Sequence, residues 1–140
     1  MPIIYGDAFK ADKSRYASGT SHDAANRRYR NKVSLASEGG GTANTLLAAK
    51  VREGSCIDSV SLASDVNLSG LTFTVGTVAS PAKYAAAQAG PAAGATVRFA
   101  IIPAMLAMEP LTALEEIILT PSGALPAAGL MVASVVASHR

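Results

Sequence analysis

Beyond Lys32 the chain never runs far without a turn residue. Glycine, proline or a polar cluster interrupts every apolar stretch: Glu38–Thr42 (EGGGT), Glu53–Ser55, Asp65–Gly70 (DVNLSG), Ser80–Gly94 (SPAKYAAAQAGPAAG), Pro103–Pro110 and Pro121–Gly129 (PSGALPAAG). Glycine loses the most backbone freedom on ordering, and proline has no N–H to give to a ladder, so both mark the ends of regular elements. The segments left between them suit strands better than long helices. Leu71–Val78 (LTFTVGTV) is the clearest, with Leu71, Phe73 and Val75 on one face and Thr72, Thr74 and Gly76 on the other. That is the period of 2 expected of a pleated strand with β-branched residues on both faces. Lys32–Ser37, Cys56–Ser64, Ala95–Ile102, Leu114–Thr120 and Leu130–Ser138 are also read as strands, with Val97, Phe99 and Ile101 inward and Arg98 outward. Asn44–Arg52, ambiguous between strand and helix by pattern alone, is assigned to a strand because turns bound it closely on both sides.

Frequent turns between short strands predict an all-β fold, a jelly-roll-like β-sandwich of about seven to eight strands. No alternation with long helices points to a parallel sheet. Residues 32–140 are assigned to the sandwich and residues 1–31 to an extended basic N-terminal arm, polar and without sustained periodicity. Ser21–Arg30 has the makings of a short helix capped by Ser21, and Lys83–Gln88 of another. Otherwise Ser80–Gly94 reads as a long loop. Pro121–Gly129 fits either a long hairpin or a crossing between sheets.

At 140 residues one domain is expected. Only 16% of residues are charged while 49% are hydrophobic, mostly small, with no Trp. Small side chains bury little area, and burial contributes about 25 cal/mol per Å². A charge-poor surface over such a core favours association, so a homo-oligomer or assembly subunit is expected. The single cysteine, Cys56, rules out an internal disulfide and is expected to be a buried strand residue. Met1–Lys10 lacks the apolar core of a secretion signal. No run of about 18 apolar residues exists to span a membrane as a helix.

Catalytic and metal chemistry find little support. His22 and His139 lie in the arm and beside the C-terminus, and Cys56 has no His near it in sequence. Gly39–Gly41 lacks the Lys-Ser/Thr of a phosphate loop. Asp65-x-Asn67 lacks the Gly and distal Glu of a calcium loop, so its expected role is to satisfy turn backbone. Glu115 and Glu116 are adjacent and would point to opposite strand faces. The reading is therefore a non-enzymatic protein with no cofactor and no metal.

The sharpest local signal is Arg27-Arg28-Tyr29-Arg30-Asn31-Lys32. Residues 1–32 carry seven basic and three acidic side chains, a surplus of four, whereas residues 33–140 carry five basic and seven acidic. Guanidinium forks pair with carboxylates or phosphates, and a tyrosine adds an anchor, so Arg27, Arg28, Tyr29, Arg30 and Lys32 are the candidate partner-binding residues. A sequence-specific nucleic-acid reader would carry a recognisable module, and none is present, which argues for an acidic protein surface.

Several stretches resemble small structural proteins of tailed bacteriophages. They are Ile57–Ser64, SGLTFTVGT at Ser69–Thr77, Pro-x-Lys-Tyr at Pro81–Tyr84 before an Ala-rich loop, EEIILTPSGALPAAGLMVASVV at Glu115–Val136, and the M-P-x-x-Y opening at Met1–Tyr5. The resemblance implies a capsid decoration (cement) protein made in the host cytoplasm and incorporated into the virion. Its expected partners are the major capsid protein and further copies of itself, as a trimer. The alternatives are a head–tail or tail component, or a receptor- or carbohydrate-binding module of the same fold. The last would need exposed rings for sugar stacking, and only Tyr5, Tyr16, Tyr29 and Tyr84 offer a ring with a polar tip.

Overall fold

The structure, a computed structural model, describes residues 26–37, 41 and 45–139. Among these residues eight strands are found: β1 (Asn26–Ser34), β2 (Leu46–Val51), β3 (Ser55–Ser64), β4 (Thr72–Gly76), β5 (Ala85–Ala89), β6 (Thr96–Phe99), β7 (Glu115–Pro121) and β8 (Leu130–His139). One sheet has the order β1-β8-β3-β6 and the other β2-β7-β4-β5, with every pairing antiparallel. First pairs with eighth, second with seventh, third with sixth, fourth with fifth. The chain is thus a long hairpin, its tip at the β4–β5 connection, rolled into two layers, which is the jelly roll expected from the turn spacing.

Alternation builds the core. Along β8, Met131, Ala133, Val135 and Ala137 are buried against the second sheet, while Val132, Val136 and Ser138 are only half-covered. Val60 and Leu62 of β3, Phe73 and Val75 of β4, and Ile117 and Leu119 of β7 meet them. Phe73 and Phe99 come from opposite sheets and pack tilted, with centroids 6.3 Å apart. Bulges between Ile57 and Ser59 and between Leu47 and Ala49 shift the register of β3 and β2, which adds local twist to the bulged strands.

The turns close as their chemistry requires. Gly54 sits at φ +83°, a left-handed conformation that favours glycine, and its N–H reaches Leu111 O at 2.7 Å. Asp65 Oδ1 accepts from the Leu130 N–H at 2.8 Å and Asn67 Oδ1 from the Ser69 N–H at 3.0 Å, the turn-satisfying role expected of that pair. Pro121–Gly129 carries the chain from one sheet to the other, resolving the hairpin-or-crossing choice in favour of the crossing.

Five local expectations are corrected. Residues 26–31, read as the end of an arm, lie in β1, where pairing with β8 orders a segment of weak apolar content. That strand stops at Ser34, and Leu35–Ser37 form a turn rather than the end of a strand. The helix considered over Ser21–Arg30 is excluded from Asn26 onward by the same pairing; Ser21 and the rest of the arm lie outside the described residues. Ala85–Ala89 is a strand rather than loop or helix, because β4 offers it a ladder. Cys56 is only half-buried, with Sγ 3.8 Å from Met108 O.

Candidate partner-binding face

The basic cluster occupies β1, the edge strand of its sheet, and the pleat divides it. Tyr29 opposes the fully buried Val135, and Tyr29 and Val33 pack on the core. Arg27, opposite the buried Ala137, shares their side of the strand. Arg28, Arg30 and Lys32 alternate with them and are all exposed on the outer face. The structure therefore brings together three of the five predicted residues and turns Arg27 and Tyr29 away from them.

Register extends the outer face across the sheet, since directly opposed residues share a face. Arg30 opposes Ser134, Ser134 opposes Ser61, and Ser61 opposes Arg98 on β6. Lys32, Val132, Ala63 and Thr96 form the neighbouring row. Arg98 is exposed at the far edge, about 14 Å from β1 at three strand spacings of roughly 4.8 Å. Sequence reasoning oriented Arg98 correctly but could not join it to the cluster, because only the β8–β3–β6 register does so.

The electrostatics of this face are one-sided. Arg28 Nη2 donates to Ser134 Oγ at 3.5 Å, a weak contact. Among the described residues no ion pair joins Arg28, Arg30, Lys32 or Arg98 to a carboxylate. The nearby acid is Asp58, at the β3 bulge. Partial burial pushes its carboxyl above the usual aspartate range, opposed by a hydrogen bond from Ser138 Oγ at 3.3 Å.

A second polar cluster sits at the rim of the core. Tyr84 is fully buried, and its hydroxyl donates to Glu115 Oε1 at 2.8 Å. Lys83 Nζ lies 3.0 and 3.2 Å from the two oxygens of the same carboxylate and 5.3 Å from the Tyr84 ring centroid. Burial, then the bond to Glu115, pushes the Tyr84 hydroxyl well above the ordinary tyrosine range, so it stays protonated and serves as a donor. Glu116 turns to the opposite face and pairs with Lys50 at 3.7 Å, so the two glutamates do point apart. With Tyr84 buried and Tyr29 packed on the core, neither ring is free to stack on a sugar.

Beside β1 a cleft of about 220 Å³ opens between the sheets, lined by Val33, Leu35, Leu46, Leu47, Leu125 and Met131 together with Asn31 and Thr45. Asn31 Nδ2 donates to Leu47 O at 2.6 Å, tying β1 to β2 beside it. Among the described residues no three His, Cys, Asp or Glu side chains converge as a metal site, and no helix is long and apolar enough to cross a membrane.

The sequence matches no protein family and no curated protein. The fold does have solved counterparts. A chain of the capsid asymmetric unit of cyanophage Pam1 superposes with a TM-score of 0.57 at 16% identity, each chain covered over 100% of its length. A chain of the acid-stable capsid of Helicobacter pylori bacteriophage KHP30 gives 0.56 at 11% identity, covering 81% of this chain and 87% of that one. One from the capsid of Ralstonia phage GP4 gives 0.55 at 15%, covering 82% and 83%. At these identities it is the jelly roll that is shared.

Proposed function

We propose that this protein is a structural component of a bacteriophage virion, a decoration protein that binds the outside of the capsid and stabilises it through repeated contacts. The observation that carries the reading is the likeness to chains of three phage capsids over 81–100% of this chain. Jelly rolls also serve as lectin domains, so the fold by itself does not choose between them. Each neighbour is spanned over 83% or more of its own length by this small domain, which favours a capsid chain of similar size. In this role Arg28, Arg30 and Lys32 meet carboxylates of the major capsid protein. Copies of the chain contact one another around a symmetry axis, as a trimer.

The mechanism is mechanical. Each subunit contributes a modest binding free energy, and multivalent attachment makes the array hold far more tightly than one contact does. The test uses heads of the encoding phage assembled without this chain. Added protein is expected to co-sediment at a fixed ratio to the shell subunit and to raise the temperature at which the heads release DNA. Heads that take up none would overturn the reading.

A further inference from the structure

We propose that the outer face of the β1-β8-β3-β6 sheet lies flat against an acidic protein surface and is held at both edges, with Arg98 as a second anchor opposite Arg28, Arg30 and Lys32. The proposal rests on the capsid reading and names the face that meets the shell. Its basis is the register that puts Arg30, Ser134, Ser61 and Arg98 in one row across four strands. The two cationic edges are about 14 Å apart. Between them stand mostly short, uncharged side chains, among them Ser59, Ser61, Ala63, Val132 and Val136, with Asp58 at the β3 bulge the one charged group and no aromatic ring among the described residues. Such a strip lets another surface approach closely while its hydroxyls offer hydrogen bonds.

Charge complementarity identifies the occupant. Among the described residues, four exposed cations share this face with one carboxylate, Asp58. On other faces of the molecule Lys50 and Lys83 already hold Glu116 and Glu115. The cations left without a carboxylate on this face are those a partner's carboxylates would neutralise, with guanidinium forks giving directional, bidentate contacts. A single nucleic-acid strand would want rings to stack on, and among the described residues the face has none. A duplex is convex and would touch a flat sheet along one line, reaching one cationic edge but not both. A flat acidic protein surface reaches both.

The experiment measures uptake by heads lacking the chain, using wild type, Arg30→Glu, Arg98→Glu, Arg98→Gln and Lys50→Gln, each checked for an unchanged melting temperature. Arg98→Glu is expected to weaken uptake at least roughly tenfold, as does Arg30→Glu, although the two residues lie on opposite edges. Arg98→Gln weakens it less, raised salt weakens the wild type, and Lys50→Gln binds as the wild type does. If wild type binds and Arg98→Glu binds equally well, the two-edged face is wrong while the capsid role stands. If wild type itself does not bind, both fall. If Arg98→Glu instead abolishes tight binding to duplex DNA at physiological salt, nucleic acid replaces protein as the occupant.

Discussion

Tyr84 shows how one side chain joins the apolar core to the polar rim. Its ring is fully buried, and its hydroxyl spends its hydrogen on Glu115, which Lys83 also holds. Tyr84→Phe keeps the ring and leaves Glu115 with its lysine, so the expected cost is about 1.5–3 kcal/mol, one hydrogen bond to a charged group. Tyr84→Ala also opens a cavity and should cost about 3–5 kcal/mol. Urea denaturation of the two variants checks both values. Asp58 gives a pH signature of definite sign. Its folded carboxyl titrates above 3.8, so the folded chain holds the proton more tightly than the unfolded one. That contribution is complete below the unfolded pKa and is lost as pH rises through the folded pKa. Asp58→Asn keeps an acceptor for Ser138 without the charge. It is expected to melt above the wild type at neutral pH, with the gap closing in acid. Melting curves across that range that stay parallel would contradict this.

Among the elements, β5 explains both a stabilising device and a misreading. Its sequence, AAAQA, has no apolar–polar alternation to reveal a strand, and alanine on its own favours helix. What makes it a strand is the ladder that β4 offers, an influence from outside the segment. The far edge is closed by Gln88, whose Nε2 donates to Ala100 O at 3.0 Å while its Oε1 accepts from Ala100 N at 2.8 Å. This side chain stands in for a strand backbone and latches β5 to the segment after β6. Gln88→Ala should cost about 1 kcal/mol in global stability. It should also speed amide exchange at β5 and Ala100 while leaving β8 protected, a pattern native-state hydrogen exchange can read. β1 was hidden for a related reason, since Tyr29 and Val33 alone mark its inner face and cations dominate the pattern. By contrast β3, β4, β7 and β8 were legible, because each carries its own alternation or β-branched run between turn signals. The candidate face was half legible. The basic cluster stands out in sequence, but its division by the pleat and its extension to Arg98 depend on pairings between distant segments.

At the scale of the whole molecule, the two ends of the sandwich differ. The β4–β5 and β6–β7 connections lie at the same end, and they carry Val78, Leu106 and Leu114 at 79%, 84% and 61% exposure. Exposed aliphatic groups gathered at one end favour association. In the proposed assembly this end provides the self-contacts. The double variant Leu106→Asp/Leu114→Asp is expected to shift the oligomer to monomer in light scattering without lowering its melting temperature, since both side chains already face solvent. The nested pairing also orders events during synthesis. β8 lies between β1 and β3, so a nascent chain that has reached residue 129 leaves β1 with no neighbour in its sheet and β3 with β6 alone. Translation must therefore proceed past residue 138 before that layer can close. Until then the most basic of the described strands waits unpaired, and no growing polypeptide presents the completed outer face of that sheet.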